Sequence, residues 1–182
     1  MRLFAGLPLP PLVIDQLAAI SQRLRSSGDG LRWSAPESWH ITLQFLGNAS
    51  WDQYECAVAQ LRGVHLPPVS IQLDGLGFFD RASIFFAGVK VSPELSLLQE
   101  RVIAATELCG FVPETRPFAP HITLARHKGM GQRQGLLALK TKLRTNPNFT
   151  RFVAEEFLLY ESFLGPGGSH YEVREHFVLA GR

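Results

Sequence analysis

Cysteine is nearly absent from this chain of 182 residues, with Cys56 and Cys109 its two examples. Two are too few for the disulfide framework of a small secreted domain, and no Cys-x-x-Cys spacing of a zinc site is present. Both stand among apolar residues in helix-like segments, so the expectation is a pair of buried, reduced thiols rather than a disulfide. Charge of either sign is also scarce. Asp, Glu, Lys and Arg make up 19% of the chain, 18 basic against 16 acidic, for a formal charge of +2. This excludes the strong basic excess of a general nucleic-acid binder and the charge-rich composition of a disordered chain, while leaving room for a local basic cleft. Long apolar runs are missing too. None approaches the roughly 18 residues that span a bilayer. The opening stretch, broken by Pro8, Pro10 and Pro11, carries no signal-peptide cleavage pattern. A cytoplasmic monomer with no membrane partner is the expectation.

Apolar residues make up 46% of the chain, and its length suits one domain over residues 1–182, or two small lobes sharing a core. Arg2–Leu7 is apolar on both faces and reads as a buried strand. Pro10 and Pro11 open a helix whose stripe is Val13, Leu17, Ile20 and Leu24, stopped at Gly28-Asp29-Gly30. Trp39–Gly47 is β-branched and aromatic, a strand. Ser50-Trp51-Asp52-Gln53 has the form of a capping box for a helix carrying Trp51, Tyr54, Val58 and Leu61. Val69, Ile71 and Leu73 alternate with polar residues as one half-buried strand; Phe85, Ala87, Val89 and Val91 continue as another, with a hairpin between them near Gly75–Ala82. Ser92-Pro93-Glu94 starts a third helix with Leu95, Leu98, Val102, Ala105 and Cys109 on one face, ended by Gly110. A strand over His121–Arg126, a polar mobile loop over Lys128–Gln134, a weak helix through Leu136, Leu139 and Leu143, and strands over Phe152–Ser162 and Tyr171–Ala180 complete the chain. Strands adjacent in sequence predict an α+β fold with largely antiparallel sheets and flanking helices.

The most informative feature is an echo. His40-Ile41-Thr42-Leu43 recurs as His121-Ile122-Thr123-Leu124, each copy after a helix and a proline-containing loop, each on a predicted strand. In a strand, residues i and i+2 share a face. His40 therefore points with Thr42, and His121 with Thr123, while the Ile and Leu residues anchor the other face. If the two strands face one another, one cleft holds two imidazoles and two hydroxyls. Imidazole titrates near neutral pH, so one neutral ring can take a proton while a protonated one donates. The hydroxyls of Thr42 and Thr123 suit the non-bridging oxygens of a phosphate. A lone His-x-Thr on a strand means little; two identical copies in matching contexts point to acid–base chemistry on a phosphodiester. Metal binding would need carboxylates or further histidines close by, and neither motif has them.

At these residues a family is legible. The chain resembles the two-histidine phosphoesterase superfamily, and within it the RNA 2′,3′-cyclic phosphodiesterases, also called 2′-5′ RNA ligase-like proteins. The resemblance runs through Arg2-Leu3-Phe4-Ala5, His40-Ile41-Thr42-Leu43-Gln44-Phe45-Leu46-Gly47, Pro120-His121-Ile122-Thr123-Leu124-Ala125-Arg126, and the late Leu158-Leu159-Tyr160-Glu161-Ser162 and Tyr171-Glu172-Val173. It implies a bilobal fold with pseudo-twofold symmetry and a central cleft. It also implies hydrolysis of a terminal RNA 2′,3′-cyclic phosphate to a 2′-phosphomonoester, with His40 as proton donor, His121 as proton acceptor and no cofactor or metal. The alternatives it leaves are another phosphodiester substrate and 2′-5′ RNA end joining by the reverse chemistry. A non-catalytic RNA-binding module is disfavoured by the intact histidines and threonines.

Arg126 would point away from His121 on a regular strand, and a twist at the strand end would bring it to the phosphate instead. Lys128 is a weaker form of the same idea. Phe45 is expected in the core, with base stacking as the alternative. Tyr160 and Ser162 share a strand face and would line the cleft or pack. Trp39 would wall the cleft or pack. His127, in a loop position just after the second motif, is expected in solvent, and His65, His170 and His176 are expected to be structural or exposed.

Overall fold

The structure is a computed structural model, and it describes residues 1–127, 134–143, 146–165 and 168–181. Ten strands and four helices are distributed along these residues. Strand β1 (Arg2–Leu7) is followed by α1 (Pro11–Leu24), β2 (Leu31–Trp33), a short 3-10 turn (Pro36–Ser38), β3 (Ile41–Asn48), α2 (Trp51–Leu61), β4 (Val69–Ile71), β5 (Leu73–Phe79), β6 (Ile84–Val89) and α3 (Pro93–Glu107). Then come β7 (His121–His127), α4 (Gln134–Lys142), β8 (Phe152–Ala154), β9 (Glu156–Gly165) and β10 (Gly168–Val178). Two four-stranded antiparallel sheets result, ordered β10-β9-β1-β3 and β2-β7-β6-β5, with β4 and β8 as a separate pair. The chain passes back and forth between the large sheets, so each is assembled from both halves of the sequence.

The helices follow their sequence signals. Pro11 sits at the first position of α1, where its missing N–H costs nothing, and the buried residues are Val13, Leu17, Ile20 and Leu24. Ser50 and Gln53 form the expected capping box, and Ser92 caps α3 by accepting from the Leu95 N–H. Gly110 has φ +80°, the left-handed conformation that ends a helix. The main core runs between the sheets and helices through Leu17, Ile41, Phe85, Leu98, Ile122 and Phe157. Phe4, Leu158 and Tyr160 form a second small cluster with Tyr171 packed on it.

Several expectations are corrected. The run Val69–Leu73 is two elements, because β4 pairs with β8 while Leu73 opens β5 in the second sheet. Phe152–Ser162 likewise divides at Glu155 into β8 and β9. Trp51 and Val91 are exposed rather than packed. Lys128 and most of the predicted Lys128–Gln134 loop lie outside the described residues, and Gln134 itself begins α4. The cysteines are not thiols: Cys56 and Cys109 are joined as a disulfide, with their Cα atoms 5.7 Å apart. The cause is tertiary, since α2 and α3 pack side by side and bring the two residues within bridging reach. Among the described residues no helix is long and apolar enough to cross a membrane.

Candidate active site

Strands β3 and β7 are in contact, one from each large sheet, and they carry the two tetrapeptides. His40 stands just before β3 and His121 opens β7. Each ring is held in the same way. His40 Nδ1 lies 2.8 Å from the Ser38 carbonyl, and His121 Nδ1 lies 2.8 Å from the Ala119 carbonyl, two residues back in both cases. A carbonyl only accepts, so each Nδ1 carries the proton and each neutral ring presents Nε2 as the acceptor. His40 Nε2 is 3.1 Å from Thr42 Oγ1, so imidazole and hydroxyl do share a face.

The two copies match beyond their identical letters. From His40 to Phe45 and from His121 to Arg126, the pattern is half-buried, buried, half-buried, buried, buried, exposed. The consecutive buried pair marks a β-bulge. Gly6 pairs with Thr42 and Ala5 with Gln44, leaving Leu43 as an extra residue. Phe86 pairs with Thr123 and Phe85 with Ala125, leaving Leu124 as the extra residue. A bulge inverts the alternation beyond it and re-aims the next side chains. Arg126 therefore returns to the face of His121 and Thr123, where a regular strand would have turned it away. Phe45 returns to the face of His40 and is 63% exposed, which overturns its expected place in the core.

Aromatic rings wall both histidines. Phe4 and Tyr171 lie 4.5 Å and 5.0 Å from the His40 ring, with Tyr160 behind at 5.6 Å. Phe79 and Phe86 stack on each other and lie 4.8 Å and 5.4 Å from His121. Phe86 can lie over the neighbouring strand because Gly77 is there; a Cβ at Gly77 would stand 2.7 Å from the ring. These dry walls set the electrostatics. Burial pushes the His40 pKa down to about 4, against the pull of the Ser38 carbonyl, and the charges of His121 and Arg126 lower it further. Burial also lowers His121, with Arg126 adding to the effect. The charge of Arg126 reaches both rings, so the space beside them carries a positive charge suited to an anion.

Of the other residues, Tyr160 is buried against His40, whereas His65, His170 and His176 are exposed. His170 stacks on Phe163, and His176 Nδ1 meets Glu156 at 2.8 Å. Trp39 packs in the core. His127 is half-buried and lines a cavity beside α4 rather than standing in solvent. Sequence reasoning missed the walls formed by Phe79 and Phe86 and overlooked Arg32. The usable signal for the walls was Gly77, opposite Phe86 across the hairpin, with Gly88 two residues beyond Phe86 on the same strand. For Arg32 there was none, since a three-residue strand has no readable period.

The model of the LigT-like phosphoesterase family matches the chain twice, over residues 7–85 and 89–171, one tetrapeptide in each. The chain belongs to this family. It is thus an enzyme of a phosphoesterase family, and the double match fits the bulge-for-bulge correspondence of its motif strands. It is similar to RNA 2′,3′-cyclic phosphodiesterases from several organisms. That of Methanothermobacter thermautotrophicus is 30% identical over 98% of this chain and 99% of the relative. That of Aquifex aeolicus is 31% identical over 82% of each. A third, from Geobacillus stearothermophilus, is 34% identical over 68% of this chain, a stretch spanning 41% of the relative's own length. Among solved structures, a Thermus thermophilus protein superposes with a TM-score of 0.81 at 28% identity, covering 100% of this chain and 99% of that one. Escherichia coli LigT complexed with 3′-AMP has the same fold, with a TM-score of 0.81, 24% identity and coverage of 98% and 97%.

Proposed function

We propose that this protein hydrolyses the 2′,3′-cyclic phosphate at the end of an RNA to a 2′-phosphomonoester, using His40 and His121 as an acid–base pair. The observation that carries the reading is the matched pinning of both Nδ1 atoms by backbone carbonyls, which leaves two Nε2 atoms for proton transfer on facing strands. His121 Nε2 accepts a proton from water as the water oxygen attacks phosphorus. The bond from phosphorus to the 3′ oxygen breaks, and His40, entering the step as the imidazolium that the bound phosphate anion favours, gives that oxygen the proton on its Nε2. The two rings exchange roles of charge over the cycle, and solvent restores them. The hydroxyls of Thr42 and Thr123 and the guanidinium of Arg126 hold the non-bridging oxygens, whose charge grows in the transition state. The similarity to RNA 2′,3′-cyclic phosphodiesterases supports this substrate.

The test is phosphorus NMR of a short oligoribonucleotide ending in a 2′,3′-cyclic phosphate, incubated with the protein in excess chelator. The expected product is the 2′-phosphomonoester. His40→Ala and His121→Ala each lose roughly 10²-fold or more in rate, and the Thr→Ala variants lose less. Near-full activity in either histidine variant sinks the assigned pair, and an unchanged cyclic phosphate sinks the substrate.

A further inference from the structure

A second cavity opens beside the cleft, with a volume of about 320 Å³. Its wall includes Arg32, Arg126, Ser38, Ser169, His170 and Tyr171. Arg32 and Arg126 face each other directly across the β2–β7 ladder. Like charges opposite one another in a sheet are destabilising, and among the described residues no ion pair joins either arginine to a carboxylate. Glu37 also lines the cavity but belongs to no such pair. The cavity is therefore a cationic pocket fringed with hydroxyls, which is the chemistry of a phosphate site.

Its position relative to the reacting atoms narrows the ligand. It shares residues with the cleft: the Ser38 carbonyl pins His40, the Tyr171 ring stands edge-on to His40 at 5.0 Å, and the Arg126 charge acts on both histidines. A 2′,3′-cyclic phosphate ends its strand, so the polymer leaves the cleft only through the 5′ oxygen of the terminal nucleotide. The cleft's two bulge-directed side chains differ in kind. On one strand it is Phe45, which offers no charge; on the other it is Arg126, with Arg32 beside it. The strand's next anion finds its counter-charge on the Arg32 side.

On the reading above that the substrate is RNA, we propose that the pocket between β2, β7 and the start of β10 binds the phosphodiester linking the terminal nucleotide to its 5′ neighbour, with Arg32 as the residue that binds it. The protein is then specific for oligonucleotide ends over cyclic mononucleotides.

The experiment compares three substrates that share a terminal base. These are adenosine 2′,3′-cyclic phosphate, the dinucleotide ending in the same cyclic phosphate, and that dinucleotide with its linkage replaced by an uncharged methylphosphonate. For the native protein, kcat/KM for the dinucleotide exceeds that for the mononucleotide by roughly tenfold or more, the scale of one charge-assisted contact. The methylphosphonate removes most of that advantage. Arg32→Gln collapses the dinucleotide-to-mononucleotide ratio towards one and becomes insensitive to the methylphosphonate, while Arg32→Lys keeps part of the ratio. Equal turnover of dinucleotide and mononucleotide by the native protein overturns the proposal. So does an equal loss on both in Arg32→Gln, or a methylphosphonate that costs nothing. If no cyclic phosphate is turned over, the catalytic reading falls by itself. The subsite is then decided by calorimetric affinities of the 2′-phosphate-ended dinucleotide and its methylphosphonate form, where equal affinities overturn it.

Discussion

Leu43 and Leu124 occupy the same place in two different sheets: each is the extra residue of a β-bulge and the fourth residue of its His-Ile-Thr-Leu tetrapeptide. The bulges put Phe45 and Arg126 at equivalent points on the cleft face, one neutral and aromatic, the other charged. Their substitutions should separate kinetically. Phe45→Ala removes a stacking surface that serves ground state and transition state alike, so KM rises roughly tenfold with kcat little changed. Arg126→Met removes charge stabilisation and lowers kcat by roughly 10²-fold. Steady-state kinetics on a cyclic-phosphate dinucleotide checks both, and an Arg126 variant altered in KM alone would contradict its place at the phosphate.

The dry setting of His40 predicts how stability depends on pH. Its pKa lies near 4 in the folded protein, below the ordinary 6.5. Between those values the unfolded chain binds the extra proton, so stability is full above about pH 6.5 and is lost as pH falls towards 4. At this single group the loss is on the order of 3 kcal/mol. His121 acts in the same direction. Thermal melts between pH 7 and 4.5 should show a steeper fall for the native protein than for His40→Gln, and parallel curves would refute the buried-imidazole account. The kcat/KM profile of the free enzyme should be bell-shaped, with limbs displaced below the usual histidine range. That of kcat should lie at higher pH, because bound phosphate favours the charged rings.

Gly6 is where β1 presses on the first motif. A Cβ there would stand 2.8 Å from the Ile41 carbonyl oxygen and 3.5 Å from His40 Cδ2. Gly6→Ala therefore forces β1 and β3 apart at the catalytic end, at a cost of about 1–3 kcal/mol. The expected outcome is a lower Tm together with a kcat deficit that persists well below the melting range. A variant that melts early yet keeps full kcat at low temperature would show that the close approach matters to packing alone.

The Cys56–Cys109 bridge closes a loop of 53 residues between the two packed helices. In the chain-entropy account this contributes about 4 kcal/mol through the unfolded state. A Cys56→Ser/Cys109→Ser variant, or the native protein melted in reductant, should lose on the order of 10 °C in Tm. Kinetics at low temperature should be unaltered, since neither cysteine lines the cleft. An unchanged Tm on reduction would contradict a formed bridge.

Much of this was written in local pattern. The stripe of α1, the capping box at Ser50 and the stop at Gly110 depend on neighbours a turn away, and a helix carries that information within itself. The sharing of one face by His40 and Thr42 follows from the period of two, and the repeat of the tetrapeptide pointed to a cleft with two imidazoles. What only the tertiary structure decided depends on a partner distant in sequence. The period of two fails at Leu43 and Leu124 because the strands they pair with are one residue short of matching, and neither motif strand contains that count. The same reason hid the pairing of Cys56 with Cys109, the division of Val69–Leu73 between two sheets, and the meeting of Arg32 with Arg126. Alternation and propensity are properties of one segment, whereas register, bridging distance and the assembly of a charged pocket are properties of two.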